Sequence, residues 1–260
     1  MNFKVFRASQ GMVWLKAGWR VFKTQPFTFV MMHLFIIIVS VVPLLAPILN
    51  IAAALIAPFL TLGLYQAVVS KQQGQTIQLS SILQPLLSKG RRLGVFRLAL
   101  CQVLVALLVA QLAGFLFADV VAVMQQTSET TTPEQLLEQL AGAFDVGNIL
   151  LFVMALTLNY MAFAFALPLV YFKNVPLWSA IQLSFQVFTR NVAPLTVFGL
   201  LVAFAVVISL PLQLIPLLAV LPISYIGFFV AYQTIFSDMA TAKDSAEQTT
   251  SVVAADRFDA

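Results

Sequence analysis

Long apolar runs, separated by short basic or acidic stretches, dominate the chain from Phe27 onward. The run from Phe27 to Val69 is about twice the ~20 residues that cross a bilayer as one helix, and Pro43 and Pro47 break it where a turn is needed. Two spans follow, at 27–43 and 48–70. Single runs predict a third span at 96–118 and a fourth at 149–172. The run from Val192 to Phe236 repeats the opening design around Pro211 and Pro216, predicting spans at 192–211 and 216–236. The expected fold is all-α: a polytopic membrane bundle of six transmembrane helices over residues 1–236. Residues 237–260, small, polar and without periodicity, read as a disordered tail. Five basic residues precede the first run, more than the short basic region of a secretory signal, so the first span is expected to stay uncleaved.

Three segments between the runs carry helical periodicity with a polar side, the pattern of helices lying in the membrane interface. In residues 7–24, Met12, Leu15, Trp19 and Phe22 share one face, while Lys16, Arg20 and Lys23 line the side beside it. Leu79, Ile82, Leu83, Leu86 and Leu87 form a second stripe, ended by Gly90. Trp178, Ile181, Phe185 and Phe188 form a third, opposite Gln182, Gln186 and Arg190. Each precedes a pair of spans, so the unit is interfacial helix, span, span, used three times. The outer two units resemble one another directly. Trp19-Arg-Val21-Phe22-Lys-Thr-Gln25 matches Phe185-Gln-Val187-Phe188-Thr-Arg-Asn191, and Pro58-x4-Gly63 matches Pro222-x4-Gly227. The predicted internal repeat is parallel, since both units start on the same side.

Charge fixes the expected orientation. All 14 Lys and Arg residues fall on one side: before span one, between spans two and three with Arg97 at the boundary of span three, between spans four and five, or after span six. The opposite loops carry none, and the largest, from Asp119 to Asn148, carries Asp119, Glu129, Glu134, Glu138 and Asp145. The positive-inside rule therefore puts both termini and every basic loop in the cytoplasm. Within the acidic loop, Thr132-Pro133-Glu134-Gln135 has the form of a capping box, and a short amphipathic helix is expected from there to about Gly142.

Composition agrees: 61% of 260 residues are hydrophobic and 9% charged, with a mean hydropathy of +0.96, which excludes a water-soluble fold. The net charge of +4 sits at the ends of apolar runs, where it orients spans, and implies no nucleic-acid partner. The single cysteine, Cys101, allows neither an intramolecular disulfide nor a cysteine-based metal site. No cofactor or metal is expected, and no catalytic constellation is present. The predicted partners are membrane lipids, with anionic headgroups meeting Lys16, Trp19, Arg20, Phe22 and Lys23.

Polar residues inside the spans are few. His33, Gln102 and Asn159 are the candidates for an intramembrane polar site, because such groups are costly in hydrocarbon. Gln102 heads a stripe of small residues at i+4 spacing, Ala106, Ala110, Gly114 and Ala118, which predicts close helix packing on span three. Ala155, Asn159, Ala162 and Ala166 offer a similar face on span four. Pro58 and Pro222 remove a backbone bond from spans two and six, and together with Gly63 and Gly227 mark expected helix kinks with close packing.

At Gly18-Trp19-x-x-Phe22-x3-Pro26 and Ala57-Pro58-x4-Gly63 the chain resembles a family of uncharacterised proteobacterial inner-membrane proteins, distantly similar to the YciC-like six-span proteins. The resemblance implies an inner-membrane location and carries no catalytic residues. With no paired carboxylates and no buried charge in the spans, the leading expectation is a non-enzymatic scaffold or envelope-associated protein. The alternative is a permease for an uncharged or lipid-like substrate, with Pro58 and Pro222 flanking a central cavity. The topology makes a direct prediction: reporter fusions after residues 75, 175 and 260 report cytoplasm and one near 130 reports the far side. A cytoplasmic signal at 130 overturns the six-span arrangement.

Overall fold

The computed structural model describes residues 3–45, 49–88, 90–126 and 132–237, apart from the side chains of residues 42–45 and 133. In lipid every backbone polar group must be satisfied within the chain, and the apolar runs meet that demand as helices. α1 (Gln10–Phe22) turns through 107° into α2 (Pro26–Leu45), with Pro26 at the first helical position, where its missing N–H has no bond to lose. α3 is Asn50–Gln72. A short 3-10 segment, Leu79–Leu83, leads into α4 (Gln84–Leu87) and then α5 (Arg92–Leu116). α6 (Ala118–Gln126) and α7 (Pro133–Ala143) form the acidic connection. α8 (Val146–Phe163), α9 (Ala166–Lys173), α10 (Leu177–Arg190), α11 (Val192–Ser209) and α12 (Leu217–Ile235) complete the order. Among the described residues five stretches, α3, α5, α8 with α9, α11 and α12, are each long and apolar enough to cross a membrane, and the bent α1–α2 pair makes a sixth when taken as one span. The chain is a polytopic helical membrane protein.

Several local features differ from the sequence reading. α2 continues through Pro43 to Leu45, and the turn expected at Pro47 lies outside the described residues, as does the expected tail beyond Ser237. The acidic connection holds a second helix, α6, in addition to α7. The capping box is formed: the Gln135 N–H donates to Thr132 Oγ1 at 3.3 Å, and the Thr132 N–H donates to Gln135 Oε1 at 3.2 Å. The fourth span breaks at Ala164–Phe165. Pro168, with no N–H, cannot bond the carbonyl four residues back, and Ser184 of α10 takes over the opened turn. The Phe165 N–H donates to Ser184 Oγ at 3.0 Å, and that hydroxyl donates to the Met161 carbonyl at 2.8 Å.

The bundle is held together at the level of its interfacial elements. Each packs on the second span of a neighbouring unit, in a cycle: α1 on α12, the 3-10 segment on α3, and α10 on α8 and α9. Where two of these contacts form, glycine lets backbone meet backbone. A Cβ on Gly18 would lie 2.7 Å from the Ile223 carbonyl oxygen and 2.8 Å from the Gly227 nitrogen. A Cβ on Gly63 would collide with the Ile82 backbone, and one on Gly11 with the Pro194 carbonyl. The faces of α1 and α10 that enter the bundle are Gly11, Trp14, Gly18 and Phe22, and Ala180, Leu183, Ser184 and Val187. The stripes read from sequence lie mostly beside these faces: Trp19 is 45% and Trp178 70% exposed, whereas Leu15, Ile181 and Phe188 pack partly on the core and Phe22 belongs to it.

The small-residue stripe on α5 does not pack as expected. Gln102, Ala106, Ala110, Gly114 and Ala118 are all exposed, and a Cβ on Gly114 meets nothing within 4 Å. α5 instead buries Val95, Leu98 and Ala99 near its first turns. Hydrocarbon is as good a neighbour for a leucine as for an alanine, so span composition does not fix the buried face. Two like substitutions separate the contacts. Gly18→Ala forces a methyl against backbone and is expected to destabilise the detergent-solubilised protein by about 1–3 kcal/mol. Gly114→Ala is expected to be neutral or stabilising by up to about 1 kcal/mol, through helix propensity alone. Thermal melting of both variants checks the assignment, which fails if they melt alike.

Candidate functional site

The second spans run on past the interfacial elements. Gly63, Phe165 and Gly227 each sit about nine residues before the end of their helix, leaving roughly 13 Å of helix beyond the contact at 1.5 Å per residue. These three ends converge on an aromatic cluster. The Tyr65 and Phe229 rings stack at 4.5 Å, and Phe172 meets Phe229 at 5.2 Å, one ring from each second span. Phe165 stacks on Phe228 at 4.8 Å, and Leu60, Leu62, Leu64 and Ile226 close the packing around them. Polar groups at the edge bind one another: Tyr171 Oη donates to Gln66 Oε1 at 3.0 Å, Tyr232 Oη to the Pro168 carbonyl at 3.2 Å, and the Gln72 and Gln233 amides pair at 2.8 Å.

The intramembrane candidates do not form one site. His33 is buried on α2, its ring edge-on to Tyr225 of α12 at 5.0 Å, and its Nδ1 has no partner. Gln102 is exposed on α5, and Asn159 is half-buried on α8 with Oδ1 unpartnered. α2 packs on α3, α12 and the 3-10 segment, whereas α5 and α8 pack on one another, so the elements hold His33 apart from Gln102 and Asn159. The ring that meets the imidazole is that of Tyr225, from α12. The readable signal was position: Tyr225 falls inside its span, away from the interface belts where tyrosine is usual. Among the described residues no three His, Cys, Asp or Glu side chains gather in a metal-sized group.

α3 and α12 run unbroken through Pro58 and Pro222. Hydroxyls turn back onto the carbonyl just before each ring, Thr61 onto Ala57 at 3.1 Å and Ser224 onto Leu221 at 2.7 Å. Gly63 and Gly227, five residues on, face the interfacial elements, Gly227 with the Trp14 carbonyl 3.2 Å from where its Cβ would be. Of the proposed lipid contacts, Lys16, Trp19, Arg20 and Lys23 remain outside the core. Trp19 stacks on Phe22 at 5.9 Å, and the Lys23 ammonium lies 5.6 Å above the Trp19 ring. Phe22 is the exception: it is 5% exposed and belongs to the core, because the turn into α2 brings it against Phe29.

The equivalent residues Gln25 and Asn191 clamp the units to one another. The Gln25 side chain accepts from the Ile77 N–H at 3.2 Å and donates to the Ile77 carbonyl at 2.7 Å, tying down the strand-like lead into the 3-10 segment. Asn191, fully buried, accepts from the Phe6 N–H at 3.0 Å and donates to the Lys4 carbonyl at 3.2 Å, tying down the lead into α1. At the remaining junction the Arg91 guanidinium lies over the Tyr171 ring at 5.6 Å. Asn191→Ala leaves the part-buried Phe6 N–H and Lys4 carbonyl with one partner fewer, at a cost of about 1 kcal/mol. Hydrogen exchange is expected to show the amides of residues 4–6 losing protection while those of α12 keep theirs. Equal protection in both proteins would remove the clamp.

Comparison with known proteins agrees with this architecture. No curated protein and no solved structure gives a significant match. The family described as "Predicted integral membrane protein (DUF2189)" matches residues 45–177, from the end of α2 through α3 and the whole middle unit to the start of α10, just over half of the chain. The chain therefore belongs to the DUF2189 family of predicted integral membrane proteins.

Proposed function

We propose that this protein is a non-enzymatic scaffold of the bacterial inner membrane, with both termini in the cytoplasm, akin to the YciC-like six-span proteins. Its working surface is the basic end of the bundle. The observation that carries the reading is the aromatic closure of that end: Tyr65, Phe172 and Phe229 stack where the three second spans converge, in the place a permease would need a passage. The interfacial elements brace this closure and leave Trp19, Trp178, Lys16, Arg20 and Lys23 at the membrane surface, where the aromatic rings anchor and the cations attract anionic headgroups. The asymmetry of charge supports the orientation, since the four described carboxylates of the opposite end, Asp119, Glu134, Glu138 and Asp145, all lie on α6, α7 or the α8 cap.

A second reading, a permease for an uncharged or lipid-like substrate, is favoured by the buried His33, which lies against Tyr225 between α2 and α12 with its Nδ1 unpartnered. Cysteine accessibility separates the two. Ala231 is fully buried within the closed end and small enough that Ala231→Cys, in a Cys101→Ser background, fits without repacking. For a static scaffold a membrane-impermeant maleimide leaves Cys at 231 unlabelled in intact membranes and labels it after denaturation. Labelling of the native protein from the basic side would mean that the closure opens, and the scaffold reading would give way to transport.

A further inference from the structure

The middle unit's interfacial element is unlike the other two. α1 has 13 residues and α10 has 14, whereas the 3-10 segment has five and α4 four. The seam between α3 and α5 that it should cover is consequently left open as a groove of about 340 Å³, at the small end of the ~300–1,000 Å³ range of ligand sites. Ile56 and Phe59 of α3, Leu86 of α4 and Leu93 and Phe96 of α5 form its walls, and Arg92 is the charged residue at its rim.

Three observations identify what fills it. Leu93 and Phe96 begin a stripe on α5 that continues through Leu100 and Leu104, all 43–55% exposed along a helix apolar enough to cross a membrane. The groove therefore opens toward hydrocarbon, and its walls fit an acyl chain. Arg92 starts α5 at the basic end, so its apolar stem can lie along the wall while its guanidinium reaches headgroup level, where its planar fork suits a phosphate. The charge at the rim selects among phospholipids. The described carboxylates all lie on the connections at the opposite end of the bundle, so none offsets Arg92. A zwitterionic headgroup would bring its ammonium beside this cation, and a net-negative one would not.

We infer that the α3–α5 groove is a binding site for an anionic phospholipid, one acyl chain between Phe59 and Phe96 and the phosphate on Arg92. The site stands independently of whether the bundle is a scaffold or a permease. The full-length protein, delipidated in nonionic detergent, is titrated with phosphatidylglycerol or phosphatidylcholine, and the first bound lipid is quantified by native mass spectrometry. The expected result is a preference of about fivefold for phosphatidylglycerol, the size of one interfacial cation acting on an anionic lipid. Arg92→Gln brings the two lipids level. Arg97→Gln, an exposed arginine outside the groove, keeps the preference, and Ile56→Trp, which fills the groove from its open side, lowers first-lipid binding for both. Equal binding of the two lipids by the unaltered protein overturns the site. So does an equal loss with Arg97→Gln, which would make the preference a diffuse surface effect, or unchanged binding by Ile56→Trp, which would place the chain elsewhere.

Discussion

Backbone contact without intervening side chains is what the rest of this bundle depends on. In hydrocarbon no solvent force drives apolar helices together, so association rests on van der Waals fit and on the few hydrogen bonds available. Gly18 against Ile223 and Gly227, Gly63 against Ile82 and Gly11 against Pro194 supply that fit where the interfacial elements cross the spans. Once those crossings are fixed, the ends of α3, α9 and α12 have one place to go, and their rings stack there. Trp14 shows how closely the two requirements meet: its ring is 1% exposed and its Nε1–H still finds Thr234 Oγ1 at 2.8 Å.

The same constraint explains an uneven distribution of order along the helices. α3 and α12 are buried over much of their length, whereas α5, α8 and α11 are largely exposed. Many of the buried parts lie around the interfacial elements, and elsewhere the spans present leucine and valine outward, as at Leu108, Val153 and Val207. In water such surfaces would collapse. In a bilayer they are already solvated.

Much of this was legible in the sequence because the bilayer imposes it. Apolar run length set the spans, the asymmetry of Lys and Arg set the expected orientation, and Thr132 with Gln135 marked the start of α7 through local chemistry alone. What lay beyond reach was decided by contacts between distant segments. The exposure of Gly114 and the burial of Gly18 follow from which neighbour each helix meets, and both positions look alike in a string of letters. Phe22 read as a lipid anchor because its stripe is amphipathic, yet the 107° turn after it folds the ring against Phe29. The contact of Tyr225 with His33 was missed because only the packing of α2 on α12 makes them neighbours. The repeat was visible and its purpose was not: Gln25 and Asn191 align by sequence, but that both grip a lead-in backbone is a tertiary fact.

The cyclic arrangement of those grips has a consequence for how the chain is made. Lys4 and Phe6 are held by Asn191, and Trp14 by Thr234, across separations of 185 to 220 residues. The lead into α1 thus finds these partners only when the last hairpin has been inserted. Until then α1 has no second span to lie on, and its glycine face, shaped for a backbone, meets lipid. Insertion into the membrane can proceed hairpin by hairpin, but the ring closes only once α11 and α12 are in place to receive α1.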